Sequence, residues 1–169
     1  MSKKKQKAAA TPALAALNRA GVDYTLLEYE HPLHEDDGWA LGSADALDVD
    51  PATVFKTLMV EVDGKPAIGI VPATATLNLK RMAKAAGGKK AVMMDVAEAE
   101  RLTGYVHGGI SPLGQKIKAP VVIDASAETL ATMLVSGGKR SLSMRIAPGD
   151  LASVTRAQFA DIAEFHTHF

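Results

Sequence analysis

The chain contains no cysteine in 169 residues. That absence excludes disulfides, thiolate metal ligands and a thiol nucleophile supplied by the protein, so any sulfur chemistry must arrive with a substrate. Aromatic residues are scarce, at 5%, which leaves little from which to build a stacking platform for single-stranded nucleic acid; Tyr29 and Trp39 are the few candidates. Nor is there an excess of charge of either sign. Nineteen basic and nineteen acidic residues cancel, so the field of the whole molecule offers no case for a polyanionic partner, and any nucleic-acid contact must be local. Apolar runs such as Ala67–Ala73 fall far short of the ~20 residues of a spanning helix. The basic start is followed by Thr11-Pro12, which interrupts what a signal peptide would need to keep apolar. A cytoplasmic protein with no membrane association is expected.

Catalytic signatures are missing too. The five histidines, His31, His34, His107, His166 and His168, show no pair at helical spacing with an acid, so no metal and no cofactor is expected. There is no Gly-x-Ser-x-Gly elbow, and Ser111 is followed by Pro112 rather than a helix, which argues against a serine triad. No glycine-rich segment ends in the Gly-Lys-Ser/Thr of a phosphate-binding loop.

What is present is an ordinary globular composition, 47% apolar and 22% charged, of a length that suits one domain. Residues 1–10 carry Lys3, Lys4, Lys5 and Lys7 and are expected to be a disordered basic tail; the domain is expected over 11–165. Thr11 and Pro12 before Ala13–Ala20, with Gly21 after it, predict a capped helix. Alternation predicts strands at Val22–Glu30, Val54–Val62 and Ala67–Val71, the last two joined as a hairpin through Asp63-Gly64 and Lys65-Pro66. Trp39–Leu47 reads as a short helix. Asn78 is placed to cap a helix over Leu79–Ala86, and Asp95 with Glu98 to start one over Val96–Thr103 as a capping box. Further strands are expected at Ala91–Met94, Val121–Asp124, Met133–Ser136 and Leu142–Ile146, with Gly137-Gly138-Lys139-Arg140 as a hairpin turn. Asp150–Val154 and Gln158–Phe165 are short helical candidates. The fold class expected is α+β, with a mixed, largely antiparallel sheet, hairpins and flanking helices.

Two features carry chemistry. On the predicted strand, alternation puts Lys56 on the same face as Val54, Leu58, Val60 and Val62. A cation among core aliphatics needs a route to water, a carboxylate or a polar site. The loop Gly108-Gly109-Ile110-Ser111-Pro112 has two glycines that allow close backbone approach and leave main-chain N–H groups to hold a carbonyl oxygen or phosphate.

These features sit within an ordered set of segments: Thr11-Pro12-Ala13, Tyr29-Glu30-His31, Val54-Phe55-Lys56-Thr57-Leu58, Leu79–Ala85, Thr103-Gly104-Tyr105, Gly108–Lys116 and Val135–Arg140. The set resembles the YbaK/EbsC family, in its Cys-tRNA(Pro) deacylase branch. The resemblance implies an α+β editing domain that removes mischarged cysteine from Cys-tRNA(Pro), with the substrate's own thiol as nucleophile. It implies Lys56 as the essential lysine, Gly108 and Gly109 as the catalytic loop, and Tyr29, Thr57, Ser111, Pro112 and Ser136 around the substrate. It also implies the aminoacyl-tRNA 3′ end and prolyl-tRNA synthetase as partners. Alternatives left open are another small amino acid on tRNA(Pro), or a module that binds tRNA or synthetase without catalysis. Two departures stand out: Ser143 falls where the family often carries an aspartate, and Trp39 lies about one residue beyond the family's usual aromatic.

Overall fold

A computed structural model describes residues 11–29 and 47–165. The expected tail at 1–10, the segment His31–Asp37 and nearly all of the expected Trp39–Leu47 helix lie outside these residues.

Helix α1 (Pro12–Ala20) starts where the sequence places it: the Thr11 hydroxyl accepts from Leu14 N–H, and Gly21 closes the helix at φ 69°. Its apolar stripe of Ala13, Leu14 and Leu17 is almost fully buried, at about 1.5–3 kcal/mol for each large aliphatic. Strand β1 (Thr25–Glu28) follows and is shorter than alternation suggested. A 3-10 turn at Pro51–Thr53, capped by the Asp50 carboxylate, leads into β2 (Phe55–Val62). Beyond the Asp63-Gly64 turn, β3 (Lys65–Pro72) pairs with β2 in antiparallel register, Lys56 opposite Val71 and Thr57 opposite Ile70.

Next come β4 (Ala75–Leu77), α2 (Leu79–Ala85), β5 (Ala91–Met93), α3 (Val96–Thr103) and β6 (Val121–Asp124). A 3-10 helix at Ala125–Thr129 precedes β7 (Met133–Lys139), β8 (Leu142–Ile146), α4 (Pro148–Thr155), β9 (Gln158–Ala160) and β10 (Ala163–Phe165). Asn78 caps α2 as expected, its side-chain oxygen accepting Arg81 N–H at 2.9 Å. Asp95 does precede α3, but it makes no side-chain cap, and Glu98 turns to Arg101 instead.

The strands form a five-stranded sheet in the order β5-β2-β3-β6-β9, a three-stranded sheet β1-β8-β7 and a β10-β4 pair. Two pairings, β3 with β6 and β6 with β9, are parallel and the rest antiparallel. The α+β expectation holds, with the strands divided among three sheets. Among the described residues, a parallel bridge between Val54, just before β2, and Leu134 of β7 joins the two larger sheets.

Two expectations are corrected. Gln158–Phe165 is not helical. The carboxylate of Asp124, 3% exposed, accepts Ile162 N–H and Ala163 N–H at 2.9 and 2.8 Å. That pins the link between β9 and β10 as each pairs with a strand far away in sequence, and local propensity loses to tertiary hydrogen bonds. Gly137 and Gly138 are not the hairpin turn either. They lie inside β7, where the register slips between Ser136 and Lys139, and the turn falls at Arg140-Ser141, with Ser141 at φ 71°.

Candidate active site

Strand β2 has two faces with different neighbours. Phe55 and Met59 enter the main core with Ile68, Ile70, Met144 and Leu17. Val60 and Val62 enter a second cluster with Val71, Met82 and Ala83, against which Leu58 packs, so α2 covers this side. Lys56 belongs to the second face, between Val54 and Leu58.

Its level on that face follows from the bridge. Val54 and Leu134 are parallel partners and share a small cluster against which Leu27 packs. Two residues onward on each strand stand Lys56 and Ser136. Ser136 pairs with Ser143 on β8, and Ser143 pairs with Leu27 on β1. Cross-strand partners share a face, so Lys56, Ser136, Ser143 and Leu27 line one side of the junction between the two sheets. Tyr29 lies two residues beyond Leu27, half-buried, its N–H donating to Ser141 O at 3.1 Å.

Lys56 is half-buried, and desolvation holds its pKa below the ordinary lysine value. Among the described residues no carboxylate lies within ion-pair distance of it; the ion pairs found are Arg81–Asp161 and Arg101–Glu98. A partly desolvated, unpaired ammonium costs stability that a purely structural lysine would avoid by snorkelling or pairing. Such perturbation is characteristic of functional sites.

The glycine loop reaches this region from the hairpin tip. Val106 to Gly109 form a turn in which Gly109 N–H donates to Val106 O at 2.9 Å and Gly108 takes φ 88°. A Cβ on Gly109 would lie 2.8 Å from Lys139 Cα, so only glycine lets the loop touch the β7–β8 hairpin. Arg140 Nε donates to His107 O at 2.8 Å and closes the same contact. The Gly109 amide is therefore committed to the turn, which leaves Gly108 N–H, without an acceptor among the described residues, as the loop donor that can meet a ligand.

Ser111, Pro112 and Thr57 are placed differently. Ser111 is fully buried and its hydroxyl accepts Leu113 N–H at 3.3 Å, so it shapes the loop from within. Gln115 donates to Ser111 O and, more weakly, to Met59 Sδ, which sets this end of the loop on the Phe55–Thr57–Met59 face. Thr57 Oγ1 and Gln115 Oε1 are buried there without a partner. A cavity of about 600 Å³ opens beside Gln115, lined also by Ile68, Pro112, Lys118 and Arg156 among others. The structure thus brings Lys56, Ser136 and Ser143 to one side of β2, the glycine turn and Tyr29 to the adjoining hairpin tip, and Thr57, Ser111 and Pro112 to the other side.

A latch holds the loop and hairpin in place, and the sequence hid it. Thr11, legible as a helix cap, also donates through its hydroxyl to Gly137 O at 2.6 Å. Tyr105 is buried and its phenol donates to Leu113 O at 2.6 Å; burial pushes its pKa up to about 12. A side chain on Gly138 would strike both Thr11 and Tyr105. Only the segment Thr103-Gly104-Tyr105 hinted at it, because a lone tyrosine after a helix carries no pairing information.

Comparison with known proteins agrees with this architecture. Residues 41–154 match the family model described as the aminoacyl-tRNA editing domain. An Enterococcus faecalis protein provisionally named Cys-tRNA(Pro)/Cys-tRNA(Cys) deacylase EbsC is 37% identical over 164 residues, 96% of this chain and 98% of that protein. Among solved structures, the hypothetical protein APE2540 superposes with TM-score 0.81 at 24% identity, covering 90% of this chain and 99% of its own. A protein provisionally described as a trans-editing enzyme for prolyl tRNA synthetase superposes with TM-score 0.76 at 23% identity, covering 90% and 95%. The two structural likenesses establish a shared fold. The family match across two thirds of the chain and the full-length relative go further: the chain belongs to the aminoacyl-tRNA editing domain family, the YbaK/EbsC family.

Proposed function

We propose that the chain is a trans-editing deacylase that removes mischarged cysteine from Cys-tRNA(Pro). The observation that carries this reading is Lys56, an unpaired, partly desolvated ammonium level with Ser136 where the two sheets meet. The full-length similarity to a protein provisionally named as a Cys-tRNA deacylase supports the substrate.

An aminoacyl ester is already activated, so a pocket that orients it and stabilises developing negative charge suffices. Lys56 anchors the terminal ribose–ester region electrostatically. Gly108 N–H, with Gly109 holding the turn against the hairpin, donates to the carbonyl oxygen as it becomes an oxyanion. Tyr29 and Ser136 border the small acyl group, and Ser143 adjoins Ser136 where relatives often have a carboxylate. Thr57, Ser111 and Pro112 act from behind, setting the pitch of β2 and the loop.

The protein has no thiol, so the cysteine of the substrate supplies the nucleophile. Its sulfur bonds to the ester carbonyl carbon, the ribose oxygen leaves, and that oxygen takes up the proton released by the thiol. Proofreading of this kind answers a physical limit, because a binding pocket separates side chains differing by one methylene by only ~1–3 kcal/mol. Prolyl-tRNA synthetase is the proposed source of tRNA selectivity.

The test is deacylation of Cys-tRNA(Pro) and Ala-tRNA(Pro) by the purified protein. Faster cleavage of the cysteinyl ester and a loss of ~10²–10³ in rate for Lys56→Ala are expected. Equal rates for Lys56→Ala and wild type remove the role assigned to Lys56, and saturable binding without turnover on either ester makes the protein a binding module.

A further inference from the structure

Charge is balanced over the chain but not along it. Between Gly64 and Met94 there are six basic residues, Lys65, Lys80, Arg81, Lys84, Lys89 and Lys90, and no aspartate or glutamate. The fold gathers them. Helix α2 lies on the Lys56 face of β2, with Met82 and Leu77 over Gly69, the partner of Leu58, and Gly88 against Val62 at the far end of the strand. The Asp63 carboxylate accepts Lys89 N–H and Lys90 N–H, each at 3.0 Å. That draws both lysines to the β2–β3 turn, next to Lys65.

Arg81 pairs with Asp161 and Lys89 is attracted by the Asp63 carboxylate; Lys65, Lys80, Lys84 and Lys90 are exposed and form no ion pair among the described residues. The nearby acids leave most of this charge unbalanced: Asp63 is held by those two amides and offsets Lys89 in part, Glu164 bonds Asn78, and Glu61 lies on the opposite face of β2. Stability does not account for the arrangement. Lys80 occupies the first turn of α2, which has no acidic residue and where the helix dipole disfavours a cation. Lys80 and Lys84 stand four apart, a spacing at which like charges repel.

We infer that this strip, running from the Lys56 pocket along α2 to the β2–β3 turn, is a docking track for the phosphates of the acceptor strand of the substrate tRNA. The inference rests on the deacylase reading above and extends it. Val62 lies six steps along β2 from Lys56, roughly 20 Å at ~3.3 Å each, a length over which several successive backbone phosphates of one strand can be met. Lysine suits the task, since a flexible point charge holds a backbone without reading sequence. The strip thus supplies affinity and direction, and leaves the choice of tRNA to other contacts.

The experiment uses the full chain and three probes: uncharged tRNA titrated over a salt series, full-length charged tRNA, and the cysteinyl ester of a lone 3′-terminal adenosine, which reaches the pocket but not the strip. The variant Lys80→Gln/Lys84→Gln/Lys89→Gln/Lys90→Gln is compared with Arg19→Gln/Arg101→Gln, which alters exposed cations elsewhere. The quadruple variant is expected to bind tRNA at least about tenfold more weakly near 100 mM salt and to lower the slope of log affinity against log salt by about three. Turnover of the adenosine ester should stay at the wild-type rate, and the double variant should match wild type throughout. Unchanged affinity and slope in the quadruple variant overturn the track while the deacylase reading stands. An equal loss on the adenosine ester assigns the lysines to the pocket or the fold and overturns it as well. Should a parallel titration with prolyl-tRNA synthetase show weakened binding of the quadruple variant while its RNA binding is intact, the strip is an acidic-protein contact, which also refutes the track. If wild type cleaves neither ester, the deacylase reading falls and the track with it.

Discussion

The two faces of β2 carry adjacent residues into different environments. Lys56 and Thr57 are neighbours in sequence, yet Lys56 shares a side with Val60, Val62 and the α2 contacts, while Thr57 sits between Phe55 and Met59 beneath the loop that ends at Gln115. The first face leaves a cation desolvated and unpaired; the second leaves two neutral atoms, Thr57 Oγ1 and Gln115 Oε1, unsatisfied. An unpaired ammonium is far costlier to hold in a low-dielectric setting than an unpaired hydroxyl. The Lys56 face is therefore the better candidate for a site shaped by function, and the Thr57 face for a supporting wall.

Substitutions at three positions probe this contrast, beginning with the largest effect. Removing the charge at Lys56 should separate activity from stability. Because desolvation lowers the folded-state pKa of Lys56, the unfolded chain binds more protons in the interval between the folded and ordinary values. The stability cost of the charge is therefore full below that interval and relieved as pH rises through it. Lys56→Met should accordingly melt at or above the wild-type temperature at neutral pH, with the difference shrinking in alkali, while its turnover drops with that of Lys56→Ala. Wild-type kcat/KM, corrected for spontaneous ester hydrolysis, should fall along an alkaline limb centred below the ordinary lysine value, and Lys56→Arg should shift that limb upward. A limb that does not respond to Lys56→Arg breaks the contrast.

Next in size is the latch behind the loop. Tyr105→Phe deletes the buried phenol that donates to Leu113 O and strands that carbonyl, at a cost of about 1–3 kcal/mol in denaturant titration. Turnover per folded molecule should change far less than for Lys56→Ala, because the phenol holds the loop from the core side. The smallest effect is expected at Thr57→Val, which replaces an unsatisfied hydroxyl with a methyl of similar volume. Stability should rise by up to ~1 kcal/mol, and kcat/KM should fall by less than about tenfold. A loss at Thr57→Val as large as that at Lys56→Ala would mean that the substrate reaches both faces, and the division drawn between them would fail.

Much of this was legible in the chain itself. Helices α1 and α2 could be placed from Thr11, Pro12, Gly21 and Asn78 because capping is local chemistry. Lys56 could be singled out because alternation on a strand is local geometry. The capping box at Asp95 and the helix over Gln158–Phe165 were not realised, since Glu98 and Asp124 make other bonds in the folded protein. The roles of the two glycine pairs were likewise hidden. Gly109 needs to be glycine because of Lys139, thirty positions away, and Gly138 because of Thr11 and Tyr105.

By itself the sequence determined the α+β class, the caps, the hairpin at Asp63-Gly64, the inward cation and the family resemblance, all of which depend on residues close together along the chain. Only the tertiary structure decided that Lys56 lies level with Ser136 through the Val54–Leu134 bridge, that the Gly109 amide is already engaged, and that a run of cations lines up along α2. Sheet registry and long-range hydrogen bonds select among local options that are nearly equal in energy, and no window of sequence contains both partners of such a contact.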